Sequence, residues 1–238
     1  MSRHPRGCRA VDPGRQRRAL ERWRVAGPFC CAALCQIFFG RRGTSEFYGK
    51  MMNSPERTSE THPIEVGWLA GPWLGRVGLT FAPGKQQPVA QSGAWRRNLQ
   101  LDLERLRTVH GVEHLVCLLE DHELHKLVIS DLAQRAVACG LKFERLRIAD
   151  GAIPAEIGAV RELVARIGGW AAAGETTVIH CMGGLGRAGT IGGCVLRAAG
   201  LDAPATFAAL LDARGPSCPE TNAQRLYVQQ FTAVAAAH

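Results

Sequence analysis

Cys181 and Arg187 enclose five residues, Met182, Gly183, Gly184, Leu185 and Gly186, within the run VIHCMGGLGRAGT. Each residue type at that spacing has a chemical use. Glycines let successive backbone N–H groups turn inward around an oxyanion, and a helix opening just after them adds about half a positive charge at its N-terminus. Arg187 offers a planar fork to two phosphoryl oxygens. The same positive field favours a thiolate, and can bring a cysteine from a pKa of about 8.5 into a range of about 3.5 to 7.5. The pattern points to attack on phosphorus by Cys181, with Arg187 and the amides of residues 182–186 holding the oxygens. An inert buried Cys in a Gly-rich turn is enough for a lone G-x-G-x-R. It does not account for His180, Cys181, three glycines and Arg187 together.

Thiolate attack on a phosphate ester needs a proton for the departing alkoxide, which a positioned carboxylic acid can give. Asp150 in IADGAIP is one candidate, 31 residues before Cys181. Alone, Asp-Gly is an ordinary turn signal. Glu156 is the fallback, and its better reading is a carboxylate in the first turn of a helix.

The elements that must position these groups are legible as alternating short apolar runs and amphipathic segments. Strands are expected at 68–69, 77–81, 112–119, 141–148 and 176–180. Helices are expected at 94–110, from Ser130 or Asp131 to just before Gly140, from Pro154 in a first turn to about 173, and at 188–199, 203–213 and 222–236. Strands alternating with helices of this length predict an α/β fold with a mostly parallel central sheet flanked by helices. Active sites in such sheets lie beyond the carboxyl ends of the strands. The loops after 119, after 148 and after 180 are therefore the ones to carry chemistry.

The loop resembles the cysteine-dependent protein tyrosine phosphatase superfamily, whose signature is HCxxGxxR[ST]. Further stretches, GLTFAPGK at 78–85, RRNLQLD at 96–102, HLVCLLEDHEL at 114–124 and RIADG at 147–151, resemble the kinase-associated phosphatases, dual-specificity enzymes of the cyclin-dependent kinase inhibitor type. That resemblance implies a protein tyrosine phosphatase-like fold and a phosphocysteine intermediate with no cofactor or metal. It implies Asp150 as general acid, and a His180 that orients the loop rather than reacting. It also marks Cys117 as a thiol that can form a reversible disulfide with Cys181, beside the plainer reading of a small buried hydrophobe. Cys139, Cys194 and Cys218 read as structural. Two positions depart from the pattern. Ala188 stands where a Ser or Thr normally assists the leaving thiolate, and Glu220 stands where a Gln helps to place the attacking water, with Gln224 matching the second Gln of that segment. Thr190 is the nearest replacement hydroxyl in sequence. The departures leave open a slow enzyme, or an inactive domain that binds phosphorylated partners.

Composition narrows the setting. The 238 residues are 46% apolar, with no run approaching the roughly 18 residues of a membrane span. Ten Arg and Lys50 stand against Asp12, Glu21 and Glu46 in residues 1–50, so that stretch carries the whole net charge of +8 and leaves 18 basic and 18 acidic residues beyond it. Residues 1–60 are expected to be a basic, disordered leader before a phosphatase domain at 61–238. Met51 and Met52 are alternative starts that would omit the basic stretch. The apolar segment 25–40, interrupted by Pro28 and Gln36, makes a poor signal peptide, and Arg17-Arg18 a faint twin-arginine motif. Cys30, Cys31 and Cys35 lack a fourth ligand at zinc spacing. Nine cysteines without a regular framework fit a reducing cytoplasm. The neutral body argues against nucleic acid and membrane as partners, and a phosphorylated protein substrate is the expected one. The absence of Lys from 182–186 favours phosphoprotein over polyphosphoinositide.

Overall fold

A computed structural model of the chain describes residues 56–90 and 93–232. The features noted at 17–18, 25–40, the three cysteines at 30–35 and the two methionines at 51–52 lie outside the described residues.

The core is one sheet of five strands, β1 (Gly67–Trp68), β2 (Arg76–Thr80), β5 (His114–Cys117), β6 (Lys142–Arg145) and β7 (Thr176–His180), in the order β1-β2-β7-β5-β6. All neighbours pair in parallel except β1 with β2. The expected mostly parallel α/β sheet is therefore the one present. A two-stranded hairpin, β3 (Gln86–Gln87) and β4 (Trp95–Arg96), stands apart from it. Central β7 is buried at all five positions, as a β-branched run flanked on both sides demands.

Alternation along the strands sorts the side chains onto two faces. Val77, Leu79, Val116 and Ile179 pack with Val160, Leu163, Val164 and Ile167 of α4 (Ile157–Ala172), and with Ile191 and Val195 of α5 (Gly186–Ala198). The same face takes Leu210 of α6 (Ala203–Arg214) and Val228 of α7 (Asn222–Gln230). Leu115, Cys117 and Val178 face the opposite way. They meet Leu103 and Leu106 of α1 (Leu99–Thr108), Leu124 of α2 (Asp121–Lys126), and Leu132 and Ala136 of α3 (Leu132–Ala138). Each fully buried aliphatic side chain contributes roughly 1.5 to 3 kcal/mol. Of the 13 residues of α5, 11 are buried, so the helix behind the Cys181 loop is the centre of its layer.

Several boundaries differ from the expected ones. The first helix starts at Leu99, not Ala94, because Trp95 and Arg96 pair with Gln87 and Gln86, and Asn98 caps the helix by accepting from the Leu101 N–H. The strands after 112 and 141 are four residues each, and α2, a six-residue helix, follows the first of them. Pro154 is not in a helix turn. It lies buried in the connection, and α4 opens three residues later with exposed Glu156 at its N-cap. Packing also begins ahead of residue 60, since Arg57 bridges to Trp95 and Ser59 is buried, its hydroxyl accepting from the Asn98 N–H.

Candidate active site

Four connections meet at the carboxyl end of the sheet: those after β2, β5, β6 and β7. Cys181 directly follows β7 and is buried, and the Gly184 N–H donates to its Sγ at 3.2 Å. Gly184 has φ +77, and a Cβ there would lie 2.5 Å from the Thr80 carbonyl group, so both the loop's turn and its approach to β2 need glycine. α5 begins at Gly186 and aims its N-terminus into the loop. Met182, Gly183, Gly184, Leu185 and Gly186 thus lie in one tight turn between Cys181 and the first turn of α5.

Arg187 lies in the first turn of α5 with a buried side chain. Glu123 holds it from α2 in a bidentate pair, Nη1 to Oε2 at 2.6 Å and Nη2 to Oε1 at 2.8 Å, and Nη1 also donates to the Ile148 carbonyl at 3.0 Å. Glu123 Oε2 accepts from the Glu120 N–H as well, closing the start of its own helix. Burial by itself would raise the Glu123 pKa. Arg187's hydrogen bonds and charge, with the Glu120 N–H, outweigh it and hold the carboxyl below its ordinary range. Asp150, on the exposed loop after β6, reaches the outer side of Arg187, with Oδ1 2.8 Å from Nη2. The thiol, the guanidinium and the carboxylate picked out in sequence are therefore brought together.

His180 is completely buried, and desolvation pushes its pKa down to about 4, so the imidazole is neutral. Cys117 stands opposite His180 in the parallel register and packs on the sheet face away from α5. Burial pushes its thiol up to about 11, and Cys181 is among the groups whose charge it senses. Ala188 is fully buried, and the Thr190 hydroxyl donates to the Gly186 carbonyl one turn back, so it is engaged within α5. Glu220 and Gln224 both approach Gly186, where a Cβ would meet Glu220 Oε2 at 2.4 Å and the Gln224 carboxamide at 3.0 and 3.1 Å. Buried Gln224 closes a capping box with Thr221, and its Nε2 donates to Ala152 O, tying α7 to the loop that carries Asp150.

Glu123, Arg214 and Lys85 also belong to the site; Glu123 and Lys85 lie in two of the family-like stretches, but neither their type nor their spacing marks a role there. Arg214, at the end of α6, donates from Nε to Gly184 O (3.1 Å) and from Nη2 to Gly183 O (2.9 Å), so it holds the loop by its outward carbonyls. Lys85 is buried, with Nζ 4.2 Å from the Trp95 ring centroid and 3.5 Å from Met182 O. Burial and then the charge of Arg97 bring its pKa down to about 8, against the pull of Cys181. Its backbone is fixed by a buried Arg97–Asp102 pair at 2.7 Å. Asp102 also accepts from the Gly84 N–H, and the Arg97 N–H donates to Lys85 O. The GLTFAPGK and RRNLQLD stretches therefore form one clamp beside the loop. Among the described residues no three His, Cys, Asp or Glu side chains converge as a metal site would require, and no helix is long and apolar enough to cross a membrane.

Comparison with known proteins agrees with this geometry. Cyclin-dependent kinase inhibitor 3 of Homo sapiens is 30% identical over 188 residues, covering 75% of this chain and 84% of the human protein. The Rattus norvegicus protein is 29% identical over 181 residues, 72% and 80% of the two chains. Among solved structures, kinase-associated phosphatase with its catalytic-site cysteine replaced by serine superposes with a TM-score of 0.63 at 27% identity, over 71% of this chain and 94% of that one. The active form of Tk-PTP, at 23% identity, shares the fold with a TM-score of 0.52 over 68% and 95%. Residues 43–202 match the model for cyclin-dependent kinase inhibitor 3 (CDKN3), and the chain belongs to that family of dual-specificity phosphatases.

Proposed function

We propose that this chain hydrolyses phosphomonoesters on protein substrates through a phosphocysteine at Cys181. The observation that carries the reading is the meeting of groups from three strand ends: the Cys181 Sγ on the Gly184 N–H and the Arg187 guanidinium after β7, Glu123 after β5 anchoring Arg187 from behind, and Asp150 after β6, 2.8 Å from Arg187. A phosphoryl group in the loop takes the amides of 182–186 and the edge of Arg187 that Glu123 leaves open. Such preorganised donors stabilise the charge that develops in the transition state. The thiolate attacks phosphorus in line with the ester oxygen, Asp150 gives that oxygen its proton, and water then releases phosphate. The scheme uses no metal or organic cofactor. Cys117 is the thiol that takes up oxidised Cys181, the scattered cysteines fit a reducing cytoplasm, and a phosphoprotein is the partner.

The test is release of para-nitrophenol from its phosphate ester by the reduced full chain. Cys181→Ser abolishes release, and Asp150→Ala slows it by about 10² to 10⁴, the range of general acid catalysis. No release from folded, reduced protein overturns the reading. A second reading, a phosphate-binding module without turnover, is favoured by the buried Ala188 and by Glu220. It predicts phosphopeptide binding that depends on Arg187 in a chain that releases nothing.

A further inference from the structure

Glu220 and Gln224 converge on Gly186, the residue that opens α5 just before Arg187, yet they are not equally free to act there. The Gln224 carboxamide is engaged at both ends, Oε1 accepting from the Thr221 N–H at 3.2 Å and Nε2 donating to Ala152 O at 3.1 Å. Glu220 is exposed, and its carboxylate makes no hydrogen bond or ion pair among the described residues. A water entering above Gly186 therefore meets one group already committed and one carboxylate ready to accept a proton.

The same end of the loop lacks help for the leaving group. Ala188 offers no hydroxyl, and that of Thr190 is turned onto Gly186 O at 2.9 Å. Cys181 leaves assisted by the Gly184 N–H and by the surrounding positive charge. With less assistance at sulfur, more of the barrier falls on activating the water.

We propose that Glu220 is the general base of the second half-reaction. The proposal rests on the phosphocysteine reading above. In this step the water oxygen bonds to phosphorus as the phosphorus–sulfur bond breaks. The bonding pair returns to Cys181 as thiolate, the water proton passes to the Glu220 carboxylate, and hydrogenphosphate departs. Glu220 then gives the proton to solvent. Asp150 gives the proton in the first half-reaction and Glu220 takes one in the second, so the two carboxylates divide the roles.

The test follows the phosphoenzyme itself. The full chain is mixed with a 32P-labelled phosphotyrosyl peptide, quenched in acid at successive times, and chased with unlabelled peptide to read the decay of label on protein. Glu220→Gln keeps the size and hydrogen bonding of the side chain but not its basicity. It is expected to take up label within about twofold of the wild-type rate and to lose it about 100-fold more slowly, the scale of a general base. Glu220→Asp restores most of the decay. Decay of the Gln variant at the wild-type rate overturns the assignment to Glu220 and returns the role to Asp150, leaving the hydrolase reading intact. A wild-type chain that takes no label and forms no product overturns both.

Discussion

Replacing Glu123 by Gln removes one charge from a pair in which both side chains are nearly inaccessible, 1% for Arg187 and 2% for Glu123. Breaking a buried pair from one side costs about 3 to 5 kcal/mol, because the remaining charge stays desolvated. Here the lower end applies. Arg187 keeps the Ile148 carbonyl at 3.0 Å and Asp150 at 2.8 Å, and the Gln carbonyl can still accept one hydrogen bond. A loss of about 3 kcal/mol in a domain of this size lowers Tm by roughly 6 to 12 °C. The pH dependence has a definite sign. Glu123 is held below its ordinary value of 4.5, so its contribution is complete above that value and is lost as pH falls through the folded-state pKa. The gap between wild type and variant is therefore constant from pH 6 to 8 and closes in acid. Thermal unfolding with and without tungstate reads a second consequence. Glu123 fixes the orientation of the guanidinium, and without it oxyanion affinity falls by about tenfold, widening the stability gap by about 1.4 kcal/mol at saturating tungstate. A Tm change under about 2 °C together with unchanged tungstate affinity would refute the claim that Glu123 holds Arg187 in place.

Two other residues give independent checks. Arg214→Met keeps most of the aliphatic stem but removes both hydrogen bonds to the loop carbonyls; at about 1 to 3 kcal/mol in total, inhibition by tungstate should weaken roughly tenfold to a hundredfold, and an unchanged inhibition constant would mean the loop holds its shape without them. Lys85→Met relieves the cost of burying an ammonium whose pKa is brought from 10.5 to about 8, so the variant should be more stable at neutral pH by about 1 to 3 kcal/mol after the loss of cation–π contact. The unfolded chain holds the Lys85 proton between those two values and the folded one does not, so this advantage shrinks from pH 8 to 10.5. The comparison must be a difference in urea midpoints between the two proteins, since buried Cys117, Cys194 and Cys218 all destabilise the fold as the same window is crossed.

What could be read from the sequence was what is contiguous. Strand β7, the glycine loop and the first turn of α5 occupy one run of residues, so each part of the phosphate cradle announces the next. Asp150 is legible too, because the loop it sits on follows a strand two places along the same sheet edge. Glu123 is not. It touches Arg187 across 64 positions, and Asp121 in the same short helix and Glu120 at its N-cap stand beside it. Nothing local tells which of the three carboxylates turns inward, and only the closure of α2 by Glu123 itself decides it. The misplaced start of α1 has a similar cause. Arg96 and Arg97 look like exposed positions of a helix, but Arg97 is buried because Asp102 and the His62 carbonyl satisfy its guanidinium from two directions. The Pro154 expectation failed for a simpler reason. A proline fits the first turn of a helix, but it fits a buried connection equally well.

The Asp150–Arg187 contact carries one more consequence for how the site works. In the free protein Asp150 supplies the anion that sits at the outer Nη2 of Arg187, while Glu123 holds the inner side and remains there. A phosphoryl group binding the same edge must displace Asp150, because one N–H cannot serve both at full strength. Displacement frees the Asp150 carboxyl from Arg187. In the proposed mechanism that exchange releases Asp150 for the first step, and departure of phosphate restores the ion pair. Glu220 lies at the Gly186 side of the loop with no such contact to Arg187. That difference in partners gives a physical basis for two nearby carboxylates to serve one reaction in opposite senses.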